Sequence, residues 1–252
     1  MTPAHFRATF LGVPLDPLSM RETVQLIGEA IDGGRPITHL GVNGANLVQA
    51  RDDPAYLADL AAADLITADG QSVVWGARLY GIGVPERVAG IDLMEAVLAE
   101  SIRRDWSVYL LGAQQEVVDA LADRLATRGV RVAGRHHGYF PDDRATDLAA
   151  EIRASGATIL FVGMPTPRKE RFVIHEALPA GIPFSMGVGG SFDVLAGVLS
   201  RAPRFVQRLG LEWLYRLAQE PRRLLKRYVV TNTRFLVLLV ADAGGRRLRW
   251  RR

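Results

Sequence analysis

The chain has 252 residues, of which 48% are hydrophobic, and its net charge is +4. This length and apolar content suit one large domain, or one domain with an appendage, and exclude a disordered or fibrous chain. The absence of cysteine excludes disulfide scaffolds, cysteine nucleophiles and thiolate-based metal sites. We expect no signal peptide, because the first residues lack a basic flank and an apolar run. The best apolar run, 235–241, is too short to span a bilayer.

The first 203 residues alternate between apolar runs of strand length and amphipathic runs of helix length. Ser19 and Glu22 match a capping box that opens the first helix, Asp53 followed by Pro54 matches the start of another, and Asp92 is expected to cap a third. Strands are predicted over 37–42, 65–68, 107–111, 130–133, 158–162 and 184–188, and helices over 19–31, 55–63, 73–79, 93–103, 116–127, 144–154 and 168–177. Strands separated by helices predict a mainly parallel sheet with helices on both faces.

Polar or glycine-rich turns follow several of the predicted strands. They are Asn43-Gly44, Asp69-Gly70, Gly112, Gly163 and Gly187-Val-Gly-Gly190. The carboxyl ends of parallel strands meet at one edge of the sheet, where such folds bind ligands. Glycines let backbone amides approach phosphates there, and the following helices present positive amino ends. The pattern favours a nucleotide or phosphorylated ligand, although the dinucleotide fingerprint is incomplete and no Walker A sequence is present.

Asp69 is the best candidate for chemistry. It lies at a strand-to-helix turn, where a carboxylate could act as a general base or simply cap the following helix. The spacing alone leaves both interpretations open. His136-His137 has no further ligand at metal-site spacing, and an Asp-x-Asp pair is missing, so we predict no metal site.

Charge is distributed unevenly along the chain. Residues 204–252 carry 13 basic and three acidic side chains, a net charge of +10, so the remainder carries −6. Leucines and aromatic residues recur beside the arginines at helical spacing over 211–228. Such a segment could bind an anionic membrane surface or pack on the core with a solvated basic face. We expect no nucleic-acid partner, because no recognition motif accompanies the charge.

Nine runs of the sequence occur together in one order. They are 42–43, 68–70, 85–92, 109–112, 137–140, Val162-Gly-Met-Pro-Thr-Pro-Arg-Lys-Glu170, 187–197, Arg201-Ala-Pro203 and Gly210-Leu-Glu-Trp-Leu-Tyr-Arg216 through 220–222. With these runs the chain resembles the WecG/TagA/CpsF glycosyltransferases of bacteria over nearly its whole length. The stretch from Arg201 to Arg222 is highly specific to that family.

The resemblance implies an inverting glycosyltransferase without a cofactor. It implies a Rossmann-like α/β catalytic domain over residues 1–203 and a basic, membrane-associating helical appendage over 204–252. The implied reaction moves a sugar, of the N-acetylmannosamine type or a relative, from a UDP-sugar to a polyprenyl-diphosphate-linked sugar. It takes place at the inner face of the cytoplasmic membrane, in the synthesis of cell-surface polysaccharide or teichoic acid. The oligomeric state stays open, a homo-oligomer included.

The resemblance also assigns site residues. Asp69 falls on the proposed catalytic base, and Asn43 and Arg87 fall on active-site positions, with Arg87 suited to a diphosphate. The remaining predicted substrate-binding residues are Gly112, Lys169, Gly189 and Gly190. The residues on or near positions associated with the acceptor and the membrane are Arg216, Arg223 and Arg227. Without an Asp-x-Asp pair, Arg87 and the glycine turns offer a metal-free way to balance the leaving diphosphate.

Two departures from the family pattern affect the donor sugar more than the reaction type. Gly41 stands where the family commonly has Thr, and Lys169 stands where it commonly has Gln. A lysine could pair with a phosphate or with a donor carboxylate, so a uronic acid donor is conceivable. Two other classes stay open: a Rossmann-type nucleotide-cofactor oxidoreductase and a non-catalytic basic membrane adaptor. The incomplete fingerprint counts against the first, and turnover of a UDP-sugar would exclude the second.

Overall fold

The computed structural model describes residues 6–203, 205–206, 210–219 and 221–249. Within these ranges, the side chains at 216, 222–224, 226–227 and 243–249 are outside the description. Six strands form one sheet in the order β4-β3-β8-β7-β5-β6, and each neighbouring pair is parallel. These strands are β3 (Ile37–Val42), β4 (Leu65–Ala68), β5 (Val108–Gly112), β6 (Val132–His136), β7 (Ile159–Gly163) and β8 (Phe184–Gly187).

Helices follow the strands and cover both faces of the sheet. They are α1 (Met20–Asp32), α2 (Gly44–Asp52), α3 (Pro54–Ala62), α4 (Gln71–Leu79), α5 (Gly90–Arg104), α6 (Gln115–Thr127), α7 (Ala145–Ala154), α8 (Arg168–Arg171, continued by a π-helical turn at Phe172–Ala177) and α9 (Ser191–Leu195). One apolar core joins the sheet to α1, α5, α6 and α9, and a second joins it to α2, α3, α4, α7 and the π-helical turn. This arrangement confirms the predicted Rossmann-like α/β fold.

Several local predictions hold in detail. Ser19 and Glu22 form the reciprocal capping box at the start of α1, and the Asp53 carboxylate caps α3 with Pro54 in its first turn. Other local predictions are wrong. Asp92 lies within the first turn of α5, whose cap residue is Ala89. The predicted 130–133 strand begins later, at Val132, because the Val130 N–H still donates to the Leu125 carbonyl at the end of α6.

The N-terminal hairpin, helix α2 and the short helix α9 were not predicted. The hairpin of β1 (Ala8–Phe10) and β2 (Val13–Leu15) pairs antiparallel beside the main sheet, and its strands are too short to show a clear alternation. Helix α2 is buried at most of its positions, so it lacks the polar face that marks a helix in a sequence.

The C-terminal segment forms α10 (Glu212–Gln219) and the long helix α11 (Pro221–Arg249). Helix α11 packs on the body through Phe235, which is 3% exposed and belongs to the core on the α2 side. The Tyr80 hydroxyl donates to the Leu239 carbonyl at 2.9 Å, and Arg234 pairs with Asp52 at 2.8 Å. None of the described helices combines the length and apolar composition needed to cross a bilayer.

Candidate functional site

The carboxyl ends of β3 and β4 bring two predicted site residues together. The register pairs Val42 with Ala68, so Asn43 and Asp69 leave neighbouring strands at the same level. The Asp69 N–H donates to the Val42 carbonyl at 2.9 Å. A Cβ at Gly70 would lie 3.0 Å from the Cβ of Asn43, so the two turns are in close contact.

Asp69 does not cap the helix that follows it. The cap residue of α4 is Gly70, and no side chain caps that helix. Instead the Asp69 carboxylate accepts a hydrogen bond of 2.8 Å from the backbone N–H of Gly90, the first residue of α5. The positive amino end of a helix favours a negative charge at this place. The aspartate is thus oriented by an element that lies 21 residues further along the chain.

Asn43 serves the start of α2. Its side-chain oxygen accepts from the N–H of Ala45 at 2.9 Å and from the N–H of Asn46 at 3.3 Å, while the Asn46 side chain accepts from the Asn43 N–H at 3.0 Å. Because this oxygen is used for capping, a substrate contact made by Asn43 falls to its amide nitrogen.

Arg87 lies on the loop that runs beside Asp69. The next residue, Val88, donates from its N–H to the carbonyl of Ala68 at 2.9 Å, which fixes the loop against the end of β4. The Arg87 guanidinium donates from Nη1 to Glu212 Oε2 on α10 at 3.3 Å. The cation predicted to meet a diphosphate is therefore near the predicted base and is bonded to the C-terminal segment.

Arg201 joins the same group of charges. Its Nη2 donates to the Asp92 carboxylate, and its Nε lies 3.7 Å from Glu212 Oε1. Arg87, Asp92, Arg201 and Glu212 are called the arginine cluster below. Sequence reasoning did not name Arg201 or Glu212 as site residues, although both lie in the run from Arg201 to Arg222 that carried the family resemblance most specifically.

A family comparison agrees with this geometry. The sequence model of the glycosyl transferase WecG/TagA/CpsF family matches residues 8–249, which include the base candidate, the arginine cluster and the C-terminal helix. The chain belongs to this family. It is therefore a glycosyltransferase with a nucleotide-sugar donor and a glycan acceptor, and dependence on a UDP-sugar is general for the family. This result removes the oxidoreductase alternative.

Lys169 of the glycosyltransferase lies in a buried polar network formed by Thr166 and by residues of α2, α3 and α8. Its ammonium donates to the Thr166 hydroxyl and to the Glu170 carboxylate. Glu170 Oε1 also accepts from the hydroxyls of Thr166 at 2.9 Å and Tyr56 at 3.1 Å. Asn46 donates to the Tyr56 hydroxyl at 2.7 Å. These five residues are called the buried network below, and they give the Lys169 charge an internal partner.

The buried network keeps the Tyr56 hydroxyl protonated. Burial and the nearby Glu170 charge both raise the pKa of Tyr56. The hydroxyl therefore stays a donor to Glu170. Since Asn46 also belongs to the capping box of Asn43, hydrogen bonds run from the predicted site residue Asn43 through the network to Lys169.

The three predicted site glycines differ in what the backbone requires of them. A Cβ at Gly112 would lie 2.4 Å from the carbonyl carbon of Gly163, so only glycine allows the ends of β5 and β7 to approach. Gly189 has a φ of +52°, and no atom lies within 4 Å of the position a Cβ would take. Gly190 is the cap residue of the short helix α9. Open space is thus found at Gly189, while Gly112 serves strand packing.

The remaining predictions concern metals and the basic segment. Across the described ranges, no three His, Cys, Asp or Glu side chains converge as metal ligands. The His137 ring accepts from the N–H of Tyr139 at 3.1 Å, and the His136 ring contacts the His137 carbonyl at 2.7 Å, so both rings have local partners. Arg216 lies in α10 and Arg223 and Arg227 lie in α11, but their side chains fall outside the described part of the chain.

Proposed function

We propose that this glycosyltransferase is an inverting enzyme. It moves a sugar, of the N-acetylmannosamine type or a relative, from a UDP-sugar to a polyprenyl-diphosphate-linked sugar for cell-surface polysaccharide or teichoic acid. The observation that carries the proposal is the Asp69 carboxylate, which the Gly90 N–H orients at the carboxyl edge of the sheet beside the loop of Arg87. A base next to a loop that carries a cation suits attack by a hydroxyl on a sugar diphosphate.

In the proposed reaction, Asp69 accepts the proton of the acceptor hydroxyl. The hydroxyl oxygen forms a bond to the anomeric carbon as the bond from that carbon to the UDP oxygen breaks, and UDP leaves with the electron pair. Attack on the face opposite UDP inverts the configuration at the anomeric carbon. Arg87 and the helix amino ends at this edge stabilise the charge that develops on the diphosphate.

Two features bear on the donor sugar. A Cβ at Gly41 would lie 3.1 Å from the Cβ of Asp69, so glycine lets the side chain of the base lie closely against β3. The Lys169 ammonium is already paired with Glu170 inside the protein, so it offers little charge to a donor carboxylate. The internal pairing of Lys169 favours a neutral N-acetylated sugar over a uronic acid.

A lipid-linked acceptor requires that the site reach a membrane, and α11 supports this part of the proposal. While Phe235 packs on the body, a second face of α11 exposes apolar side chains. They are Leu225, Val229, Val230, Leu236, Val237 and Val240. An exposed apolar stripe within a segment of net charge +10 suits an anionic bilayer surface. Each basic group near such a surface contributes about 1 kcal/mol, so several are enough for reversible binding.

The donor and acceptor are tested by following UDP release. Candidate UDP-sugars are each incubated with the full chain and a short-chain polyprenyl-diphosphate-linked sugar, with the acceptor left out as the control. We expect acceptor-dependent release from an N-acetylmannosamine-type donor. Release from a uronic acid donor alone would overturn the sugar assignment, and no release from any UDP-sugar would overturn the proposed pairing of donor and acceptor.

The membrane part is tested by co-sedimentation with anionic vesicles. Removing residues 244–252 deletes five arginines downstream of Phe235, so the helix keeps its attachment to the body. We expect weaker vesicle binding that depends on salt, with turnover of a soluble acceptor preserved. Equal binding of the shortened and full chains at low salt would exclude the terminal arginines as an anchor.

A further inference from the structure

Glu212 lies between two arginines, one of which is on the loop that contacts the predicted base. Its carboxylate oxygens are 3.3 Å from Arg87 Nη1 and 3.7 Å from Arg201 Nε. The side chains of Glu212, Arg87 and Arg201 are 13%, 16% and 27% exposed, so the contact is largely enclosed by protein. Two guanidinium groups that converge on one enclosed carboxylate form a site for an anion.

Within this anion site, the bonding of Arg201 is incomplete. Its Nη2 is anchored to Asp92, on the first turn of α5. Its Nε is buried and makes no hydrogen bond with any described residue, because Glu212 Oε1 at 3.7 Å is within ion-pair range but beyond hydrogen-bond range. A buried donor without an acceptor is costly to leave. The guanidinium is therefore held in place from one side and lacks an acceptor on the side that faces Glu212.

The anion site includes residues of the loop that contacts the proposed base. Val88 donates to the Ala68 carbonyl and Gly90 donates to Asp69, so the chain from Arg87 to Asp92 follows the edge of the site. Asp92 in turn holds Arg201. The two arginines are thus attached to the loop that also contacts the proposed base.

We propose that Arg87 and Arg201 bind a substrate diphosphate together, and that Glu212 occupies their anion site until the diphosphate displaces it. The inference rests on the proposed function. A diphosphate carries more charge and more acceptor oxygens than a carboxylate, so it can supply the hydrogen bond that Arg201 Nε lacks. Because Glu212 is the first residue of α10, its displacement also releases the amino end of that helix.

The test measures diphosphate affinity and requires no turnover. Inorganic pyrophosphate, UDP and a short-chain polyprenyl diphosphate are titrated separately into the full chain by calorimetry. Arg201→Gln should weaken binding by about tenfold or more, because it removes a charged donor group. Glu212→Gln should tighten binding several-fold, because it removes the competing charge. A change in the affinity for UDP assigns the anion site to the donor, and a change in the affinity for polyprenyl diphosphate assigns it to the acceptor.

Two further variants keep the result interpretable. Arg128→Gln removes an arginine that pairs with Glu95 on the surface at 2.6 Å, and it should leave affinity unchanged. Arg201→Lys keeps the charge but not the planar fork, so its affinity should lie between those of the wild type and Arg201→Gln. Melting temperatures of all variants show whether each is folded.

The outcomes separate this inference from the proposed function. Suppose that folded Arg201→Gln binds the diphosphate probes as tightly as the wild type and still turns over a UDP-sugar. That result would overturn the two-arginine site and leave the proposed function intact. If Glu212→Gln binds the diphosphate probes more weakly than the wild type, Glu212 positions the arginines and does not occupy the place of the ligand. This result also overturns the inference. A wild-type chain that binds none of the three probes overturns both the inference and the proposed donor class.

Discussion

The arginine cluster and the buried network both lie at the carboxyl edge of the sheet, yet they bond differently. In the buried network, Glu170 is 1% exposed and its Oε1 accepts from three side chains. In the arginine cluster, Glu212 reaches Arg87 at 3.3 Å and Arg201 at 3.7 Å, and the three side chains retain some contact with solvent. Glu170 is therefore held by three donors on one oxygen, whereas Glu212 is held by two cations at longer distances.

The difference separates charges that serve the fold from charges that can exchange partners. Removing one member of a buried ion pair leaves the other charged without a partner, which destabilises the folded state strongly. The contacts of Glu212 are longer and less buried than the Lys169–Glu170 pair, so removing one of its members should cost less. The arginine cluster is thus suited to an ionic ligand, and the buried network is suited to holding α3 and α8 against the sheet.

The largest expected effect is a loss of turnover, and it follows from changing the proposed base. Asp69→Asn should lower turnover by about 10²–10⁴-fold, because the amide cannot accept the proton of the acceptor hydroxyl, while UDP binding stays nearly intact. The measurement is the rate of UDP release together with UDP affinity. Asp53→Asn makes the same change at a carboxylate that caps α3 and serves as the matched control. Near-normal turnover in the Asp69 variant would show that this residue only orients α5.

The second largest expected effect is a loss of stability, and it concerns the buried network. Glu170→Ala leaves the Lys169 ammonium buried without its carboxylate, so we expect a loss of about 3–5 kcal/mol in the free energy of unfolding. Urea denaturation measures it. Glu151→Ala, at an exposed ion pair with Arg144, is the control and should change stability little. A similar loss for Glu212→Gln and Glu170→Ala would contradict the distinction between the two groups.

The buried His39, which belongs to neither group, predicts how stability depends on pH. Burial lowers the pKa of this imidazole from 6.5 to about 4, an effect that the Asp16 charge only partly opposes. Because the unfolded chain binds the proton more readily, stability should be constant above about pH 6.5 and fall as pH drops toward 4. The total loss is about 3 kcal/mol. Unfolding free energies across this pH range measure it.

His39→Gln is the control for this pH dependence, because its neutral amide can still bond Thr67, which contacts His39 Nε2 at 2.9 Å. It should remove the part of the slope between pH 6.5 and 4. The same slope in both proteins would mean that other groups cause the acid loss.

The smallest expected effect is that of chelation. Turnover should be unchanged by EDTA, because Arg87 and the helix amino ends are expected to balance the leaving diphosphate without a metal. UDP release before and after EDTA, and after adding Mg²⁺ or Mn²⁺, measures it. A rate that falls with EDTA and returns with either ion would show that the arginine cluster does not act alone.

The sequence predicts those parts of the molecule that depend on neighbouring residues. The capping box at Ser19 and the cap at Asp53 are local signals, and both appear in the structure. The strand ends also placed Asn43 and Asp69 on one edge, because parallel topology follows from the alternation of strands and helices. The family resemblance supplied the roles of these residues, and the spacing alone did not.

Long-range partners account for most of what the sequence could not predict. Asp92 looked like a helix cap because it precedes an apolar run. The helix begins earlier, at Gly90, whose N–H is bonded by Asp69 from another strand. Lys169 looked available to a substrate because its sequence neighbour Glu170 could equally face solvent, and it is the distant Tyr56, bonded to Glu170, that belongs to the network enclosing the pair. Neither contact leaves a spacing pattern in the chain.

The packing of Phe235 limits which segments of two family members can be combined in one chimeric chain. Its ring lies over Gly44, where a Cβ would be 3.3 Å from the ring, and Gly44 opens the helix that Asn43 caps. A chimera joined at residue 203 would place the C-terminal helix of one parent on a surface shaped for that of another. We therefore expect viable chimeras to inherit α2 and α11 from the same parent, although the two helices are far apart in the sequence.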